Sequence, residues 1–306
     1  MPYVTDNILR EKFEITFGFI FNHPLGKRHP FRAFSRFIYW QCQTLLFPSK
    51  FFIKSFVKPV NFYVKKGLYG ITTNIYIGLH EFDDMSFLLH FLHERDVFFD
   101  VGANAGSYTL LASGICKAKT TAIEPVKSTF DVLFKNVQVN SLGDKVNMIN
   151  AGAGANAGNM DFTTDEDITN HVVAANEVTT AKTINVPIIT IDTLQAENRP
   201  SLIKIDVEGF EAEVLKGMAI TLKDPSLKAI IIELNGSGAR YGDNDEDIHL
   251  LLIANEFKPH LYDPLKRELS KVATYGGQNT IYCRDMDFIN DRLRTAAGFK
   301  IMGETI

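Results

Sequence analysis

The chain has 306 residues, is 45% hydrophobic and 22% charged, and carries a formal net charge of -4. That length buries a large core, as one big domain or one domain with an extension, and the composition excludes global disorder. The charge gives no general pull toward nucleic acid, so no nucleic-acid partner is expected.

Three cysteines, Cys42, Cys116 and Cys283, lie far apart and show neither metal nor disulfide spacing. They fit a reducing cytoplasm, which is the expected location. Asp6, Arg10, Glu11, Lys12 and Glu14 make the first twenty residues unlike a signal peptide. No apolar run approaches the roughly 18 residues that cross a bilayer.

The N-terminal quarter has its own composition. Between Ile15 and His80 there is no Asp or Glu, while Lys and Arg alternate with many aromatics. Phe31 to Phe47 reads as a helix with Phe31, Phe34, Ile38 and Leu45 on one face. Pro48 and Pro59 bracket a second short helix, which puts Lys50, Lys54 and Lys58 on one face and Phe52 and Phe56 on another. The whole is a basic, amphipathic, helical extension. Either its aromatics pack on the main domain while the lysines are solvated, or residues 27–66 meet an anionic membrane surface or substrate. Residues 1–74 are accordingly assigned to the extension and 75–306 to the main domain.

From Asp96 onward strand and helix alternate. VFFDV is strand one, followed by a helix from Ser107 to about Cys116. TTAIEP is strand two, and Ser128 to Asn140 a helix with Phe130, Leu133, Phe134 and Val137 on one face. VNMINA is strand three. Residues 152–190, rich in Gly, Asn, Thr and Asp, break the rhythm, with short strand-like pieces at Met160–Phe162 and Ile184–Ile189. LIKIDV is strand four, and Glu208 to Leu222 a helix. KAIIIEL is strand five, Asp245 to Asn255 a helix, and FKPHLYD and NTIYCR are two final strands. This order predicts an α/β fold with a mostly parallel, Rossmann-like sheet and helices on both faces.

The loop after strand one, Gly102-Ala-Asn-Ala-Gly106, is the form that holds a nucleotide. It is not a P-loop, because no Lys follows Gly106. Against G-x-G-x-x-G, Gly102 fits but Asn104 and Ser107 do not. Asn104 replaces the glycine that lets backbone approach a pyrophosphate. A zwitterionic nucleoside, S-adenosyl-L-methionine (SAM), fits better. Glu124 closes strand two some twenty residues on, where an acid accepts hydrogen bonds from ribose hydroxyls.

Asp100-Val-Gly-Ala-Asn-Ala-Gly-Ser-Tyr-Thr109, Ile123-Glu-Pro125 and Lys204-Ile-Asp-Val-Glu-Gly-Phe-Glu211 occur in that order. Together with Phe130, Leu133, Asn136, Asn140, Asn170-His171 and Thr190-Ile-Asp-Thr-Leu194, they resemble the FkbM-type SAM-dependent methyltransferases. The likeness runs from about Ile75 to Arg284 and leaves the first 70 or so residues uncovered. It implies a class I methyltransferase fold, with Asp100, Gly102, Asn104 and Gly106 around the methionine part of SAM and Glu124 on the ribose. Tyr108 and Thr109, at the helix start, would offer backbone N–H groups to the SAM carboxylate. Members of that family methylate hydroxyls of sugars, polyketides and related metabolites.

Methyl transfer to an alcohol requires a base, or a metal that lowers the alcohol's pKa. Asp206 ends strand four beside strand one. Glu208 follows at a helix start, and Glu233 and Asn235 close strand five. Asp206, Glu233 and Asn235 are the candidates for a divalent cation. His171, in the irregular insert, is the other candidate base. Lys204 is read as structural. The leading function is a SAM-dependent O-methyltransferase acting on a saccharide, glycolipid or related small molecule. The alternatives are an NAD(P)-dependent oxidoreductase, which would require the missing glycines, and a non-enzymatic module docking on a membrane or other anionic surface. The oligomeric state is not encoded in any recognisable pattern.

Overall fold

The computed structural model describes residues 16–164, 170–174, 177, 179–195 and 198–306. The long N-terminal helix spans Pro30–Leu46, with Pro30 in the first turn, where its missing N–H costs nothing. It buries Ala33, Phe37, Trp40 and Thr44 against the rest of the molecule. The face of Phe31, Phe34, Ile38 and Leu45 is therefore turned to solvent.

The second helix expected between Pro48 and Pro59 is instead a β-hairpin, in which β1 (Phe52–Ser55) pairs antiparallel with β2 (Asn61–Val64). Phe62 and Val64 are buried while Asn61 and Tyr63 are half-buried, a period of two that suits aromatic and β-branched residues. In a strand, Lys50, Lys54 and Lys58 have no common helical face. Two apolar helices follow, Tyr69–Ile77 and Phe82–Phe91, neither anticipated.

The remaining strands in chain order are β3 (Val97–Val101), β4 (Lys119–Ile123), β5 (Val146–Ile149), β6 (Gly152–Ala153), β7 (Gly158–Thr163), β8 (Thr183–Ile189), β9 (Leu202–Ile205), β10 (Ala229–Glu233), β11 (Lys258–Asp263), β12 (Glu268–Lys271), β13 (Asn279–Cys283) and the short C-terminal pair β14 (Lys300–Ile301) and β15 (Glu304–Thr305). The central sheet has the order β12-β11-β13-β10-β9-β3-β4-β5. The five strands from β10 to β5 run parallel, and β13 is antiparallel to both β10 and β11. β6, β8 and β7 form a small separate sheet from the irregular insert. β12, short and polar, escaped the sequence reading.

Two hydrophobic clusters flank the sheet, and the strand period sorts residues between them. Phe98, Leu202, Ala229 and Ile231 face one cluster; Phe99, Val101, Ile203, Ile205, Ile230 and Ile232 face the other. The first cluster also takes in Phe37, Trp40, Phe62, Ile71 and Phe87, so the N-terminal elements share the core of the sheet. Asp100 and Lys204 occupy the same strand phase as Phe98 and Leu202, and so belong to the face covered by those elements.

Two helices differ from expectation. The one after β9 is short, Glu211–Lys216, because Gly209 takes φ +100° just before it. The Lys127–Val139 helix buries Val132, Leu133, Asn136 and Val137, leaving Phe134 exposed. Among the described residues no helix is long and apolar enough to cross a membrane.

Candidate active site

The chain runs outward from β3 through β4 to β5, then returns to set β9 on the other side of β3. That reversal opens a crevice at the carboxyl ends of the strands. The cavity there is lined by Asp100, Gly102, Asn104, Tyr108, Glu124, Asp206, Glu208 and Glu233, eight residues singled out from sequence.

The glycine loop is fixed by hydrogen bonds of its own. Asp100 Oδ2 accepts from the Thr109 backbone N–H at 2.9 Å and from Thr109 Oγ1 at 2.6 Å. Burial raises the pKa of Asp100, partly countered by Lys204 and the Thr109 bonds. The Thr109 N–H is thus already engaged, and Thr109 is fully buried behind the cavity wall, which corrects its expected role toward SAM. Gly106 is likewise off the wall. It caps the following helix in the left-handed region, and a Cβ there would come within 2.6 Å of Leu133 Cδ1. At Gly102 a Cβ would sit 1.8 Å from the Asp206 carbonyl oxygen, so the end of the neighbouring strand demands this glycine. Asn104 sits at φ +48°, with its side-chain Oδ1 accepting from the Ala105 N–H.

Glu124 is held by two backbone donors. Oε2 accepts from the Asn104 N–H at 2.9 Å and Oε1 from the Val126 N–H at 2.9 Å. The carboxylate plane is therefore fixed, and each oxygen keeps a further acceptor site for a ribose hydroxyl. Burial pushes its pKa up to about 7 against those two bonds. Hydroxyl donors from a ligand would compensate that burial, so the residue fits the ribose of SAM.

Asp206, Glu208 and Glu233 converge, with one oxygen from each carboxylate within 4.8 Å of the others. Glu208 is not in a helical first turn, as anticipated, but in the left-handed region at φ +55°, a conformation costing an L-residue about 1–2 kcal/mol. Glu211 Oε1 staples this turn by accepting from the Val207 and Gly209 N–H groups at 3.1 and 3.2 Å. The strained turn carries Glu208 to the cavity wall. Burial, then the Asp206 and Glu211 charges, push Glu208 up to about 7. Burial, then Asp206 and Glu208, push Glu233 up to about 8. Asn235, expected in this group, is exposed and turned into its own loop, its Oδ1 accepting from the Ser237 N–H at 2.9 Å.

Lys204, read as structural, lies on the cavity wall. Its Nζ is 2.6 Å from Asp206 Oδ2 and 4.8 Å from the Tyr108 ring centroid. Burial alone would lower its pKa, but Asp206, Glu81 and Asp100 outweigh that and raise it, so it is a fixed cation and no base. His80 and Glu81 also reach the cavity, and Asn279 Nδ2 donates to Glu81 Oε1 at 2.7 Å. The one sequence signal for Glu81 was its position as the first acid after the acid-free window.

His171 is not among the lining residues. Its Nε2 lies 3.0 Å from Glu177 Oε1 and its backbone N–H donates to Thr163 Oγ1, while the neighbouring Asn170 reaches the wall. Asn136 and Asn140 hold the hairpin to the loop. Asn136 accepts from the Tyr63 N–H at 2.6 Å and donates to the Ala105 carbonyl at 2.9 Å. Asn140 bonds both the N–H and the carbonyl of Asn61.

The strand order, the antiparallel β13 beside β10 and the acid closing β4 define a class I methyltransferase fold. The chain belongs to the FkbM methyltransferase family, whose methyltransferase FkbM domain model matches residues 100–260. The family membership sets aside the oxidoreductase and the non-enzymatic docking module as the whole function, and makes the protein a SAM-dependent methyltransferase. It is 31% identical over 175 residues to the hexuronic acid methyltransferase AglP of Haloferax volcanii, a match covering 56% of this chain and 67% of that protein. Among solved structures it is similar to a precorrin-6y C5,15-methyltransferase from Geobacter metallireducens, with TM-score 0.40 and 12% identity over 73% of this chain and 93% of that one. A precorrin 8w decarboxylase from Methanobacterium thermoautotrophicum gives TM-score 0.39 and 16% identity over 67% and 89%.

Proposed function

We propose that this protein transfers a methyl group from SAM to a hydroxyl of a saccharide, free or carried on a lipid. The observation that carries this reading is the convergence of Asp206, Glu208 and Glu233 on the cavity that Glu124 also lines. The relative named for hexuronic acid methylation supports a sugar acid as the acceptor class.

SAM supplies an electrophilic methyl group on a sulfonium. Glu124 would take its ribose, and Asp100, Gly102, Asn104 and Tyr108 would wall the remainder. Six carboxylates and one lysine line the cavity, a balance that attracts a cationic cosubstrate. Glu208 and Glu233, near 7 and 8, lie where a general base for an alcohol works best. Lys204 keeps Asp206 in place, leaving Glu208 and Glu233 to receive the acceptor proton. His171, paired with Glu177, acts in this reading by positioning Asn170.

The same carboxylates support a second reading, a divalent cation bound by Asp206, Glu208 and Glu233 in place of the set with Asn235. Loss of turnover in EDTA, restored by Mg²⁺ or Mn²⁺, would favour it; unaffected turnover would favour the metal-free base. The boundary expected after residue 74 falls inside the Tyr69–Ile77 helix, and the elements before it share the core of the sheet, so the extension is read as packed onto the 75–306 methyltransferase unit and not as a separate domain. The three free cysteines support a cytoplasmic location.

The test is transfer of labelled methyl from SAM to hexuronic acid and neutral sugar glycosides. Alkali-stable label, an ether, is expected. Label released wholly by alkali would place the methyl on a carboxylate and contradict the hydroxyl reading.

A further inference from the structure

The Pro30–Leu46 helix is apolar on two opposite faces. At 100° per residue, Ala33, Phe37, Trp40 and Thr44 fall together and are buried. Phe31, Phe34, Ile38, Cys42 and Leu45 fall together on the other side and are exposed. Phe31 is 87% exposed and Leu45 77%. Isolated exposed apolar residues are ordinary, but a continuous stripe along four helical turns marks a surface that meets something apolar. The stripe gains Leu46 and Phe47 at its end, 72% and 50% exposed.

The charge beside the stripe identifies the partner. From residue 16 to 80 there are nine Lys and Arg and no acid. Lys50 Nζ lies 5.2 Å from the Phe47 ring centroid, and Lys54 Nζ 4.5 Å from that of Tyr39. Lys50 thus lies against a ring at the end of the apolar stripe, as a lysine does beside a helix that lies in a headgroup layer, while Lys54 is turned to Gln43 and Trp40 on the hairpin side. Arg28, Arg32, Arg36 and Lys54 are engaged within the chain, and the lysines that remain are spread over the segment without a fixed register, which an anionic bilayer matches more readily than a protein surface.

We propose that the exposed face of the Pro30–Leu46 helix, with Lys50 at its end, docks on an anionic lipid surface. The helix lies flat in the headgroup layer, since no described helix can span a membrane. It is tied to the catalytic cavity through one intermediate helix. Phe37 packs edge-on against Tyr76 at 5.2 Å, and Gly70, on the same Tyr69–Ile77 helix as Tyr76, lines the cavity. Docking therefore fixes the cavity's attitude to the lipid surface. The proposal is independent of which molecule is methylated.

Cys42 is the exposed one of the three thiols and lies on the stripe, so a polarity-sensitive fluorophore there reports docking directly. The full chain is mixed with phosphatidylcholine vesicles, with and without phosphatidylglycerol, at low and high salt, and followed by fluorescence and flotation. A blue shift and flotation are expected only with phosphatidylglycerol, weakening as salt rises. Lys50→Gln should lower the partition coefficient about fivefold, the equivalent of roughly 1 kcal/mol per lysine at such a surface. Phe31→Ser with Leu45→Ser should lower it at least tenfold. S-adenosylhomocysteine affinity should stay unchanged in all three substitutions, which shows the fold and site intact. No flotation of the unsubstituted chain with anionic vesicles overturns the proposal. A blue shift that depends on protein concentration and not on vesicles overturns it too, and assigns the face to a second copy of the chain.

Discussion

The cavity and the N-terminal helix are opposites in charge and in what their apolar residues do. Around the cavity, six acids face one lysine, and the apolar residues beneath them lie in a closed core. The stretch from residue 16 to 80 has nine Lys and Arg and no acid of its own, only Arg28 and His29 reaching Glu304 among the ion pairs of the described residues, and one apolar stripe is left outside. A net charge of -4 conceals this separation entirely. The acids gather on the cavity wall, where Lys204 pairs with Asp206, and the bases gather beside the aromatic residues of the N-terminal segment.

The sharpest way to break the comparison is to remove one carboxylate from the cavity. Glu233→Gln should lower turnover about 100-fold or more, the usual contribution of a general base, with S-adenosylhomocysteine affinity nearly unchanged. Unchanged turnover would reduce the cluster to a structural feature. Glu124→Gln retains the volume, but its amide NH2 cannot accept, so one of the two backbone bonds is lost along with bonds from ribose hydroxyls. It should cost about 10- to 100-fold in cosubstrate affinity, the worth of hydrogen bonds to a charged group. Calorimetry reads this; some loss of thermal stability accompanies the broken backbone bond, and unchanged cosubstrate affinity would show that Glu124 serves only Asn104 and Val126.

The third prediction concerns pH. Glu124 and Glu208 are raised to about 7 and Glu233 to about 8, above the ordinary carboxylate value near 4.5. The folded state thus binds protons that the unfolded state releases. The stability so gained is present in full below about 4.5 and is lost as pH rises through 7 and 8. The melting temperature of the ligand-free protein should fall from pH 6 to pH 9, and fall less in Glu233→Gln. A flat profile would contradict the buried, uncompensated cluster. The smallest effect is expected at His171. His171→Asn should lower turnover by less than about tenfold, through Asn170, without altering cosubstrate affinity. A 100-fold loss would return His171 to the chemistry as a base.

Much of the sheet was legible because its strands are short apolar runs ended by Gly, Asp or Glu at a fixed rhythm. The positions of Asp100, Glu124, Asp206 and Glu233 followed from strand ends and a known crevice rule. Glu208 was located but misplaced locally, since nothing in Val207-Glu-Gly-Phe says that Glu211 will staple the turn. Gly106 and Thr109 were read as ligand contacts because a motif shows spacing and not direction; their directions are set by Leu133 and Asp100. Lys204 reads as structural because the sequence leaves open whether a Lys within LIKID points into the helical layer or to the crevice until its neighbours Asp206 and Tyr108 are placed. Glu81 and His80 come from outside the motif region and reach the cavity only through tertiary packing. The hairpin misread as a helix shows the same limit. Lys50, Lys54 and Lys58 at intervals of four suit a helix, but Phe62 and Val64 at intervals of two determine the packing. The exposed stripe was visible as a face; which of the two apolar faces would be buried was not.

The central claim, that the acidic crevice between β3 and β9 is a SAM site, is tested most directly by calorimetric titration of the full chain with S-adenosylhomocysteine beside NAD. One-site, saturable binding of S-adenosylhomocysteine alone, weakened in Glu124→Gln, is the predicted result. Binding of NAD, or S-adenosylhomocysteine binding indifferent to Glu124, would contradict the account.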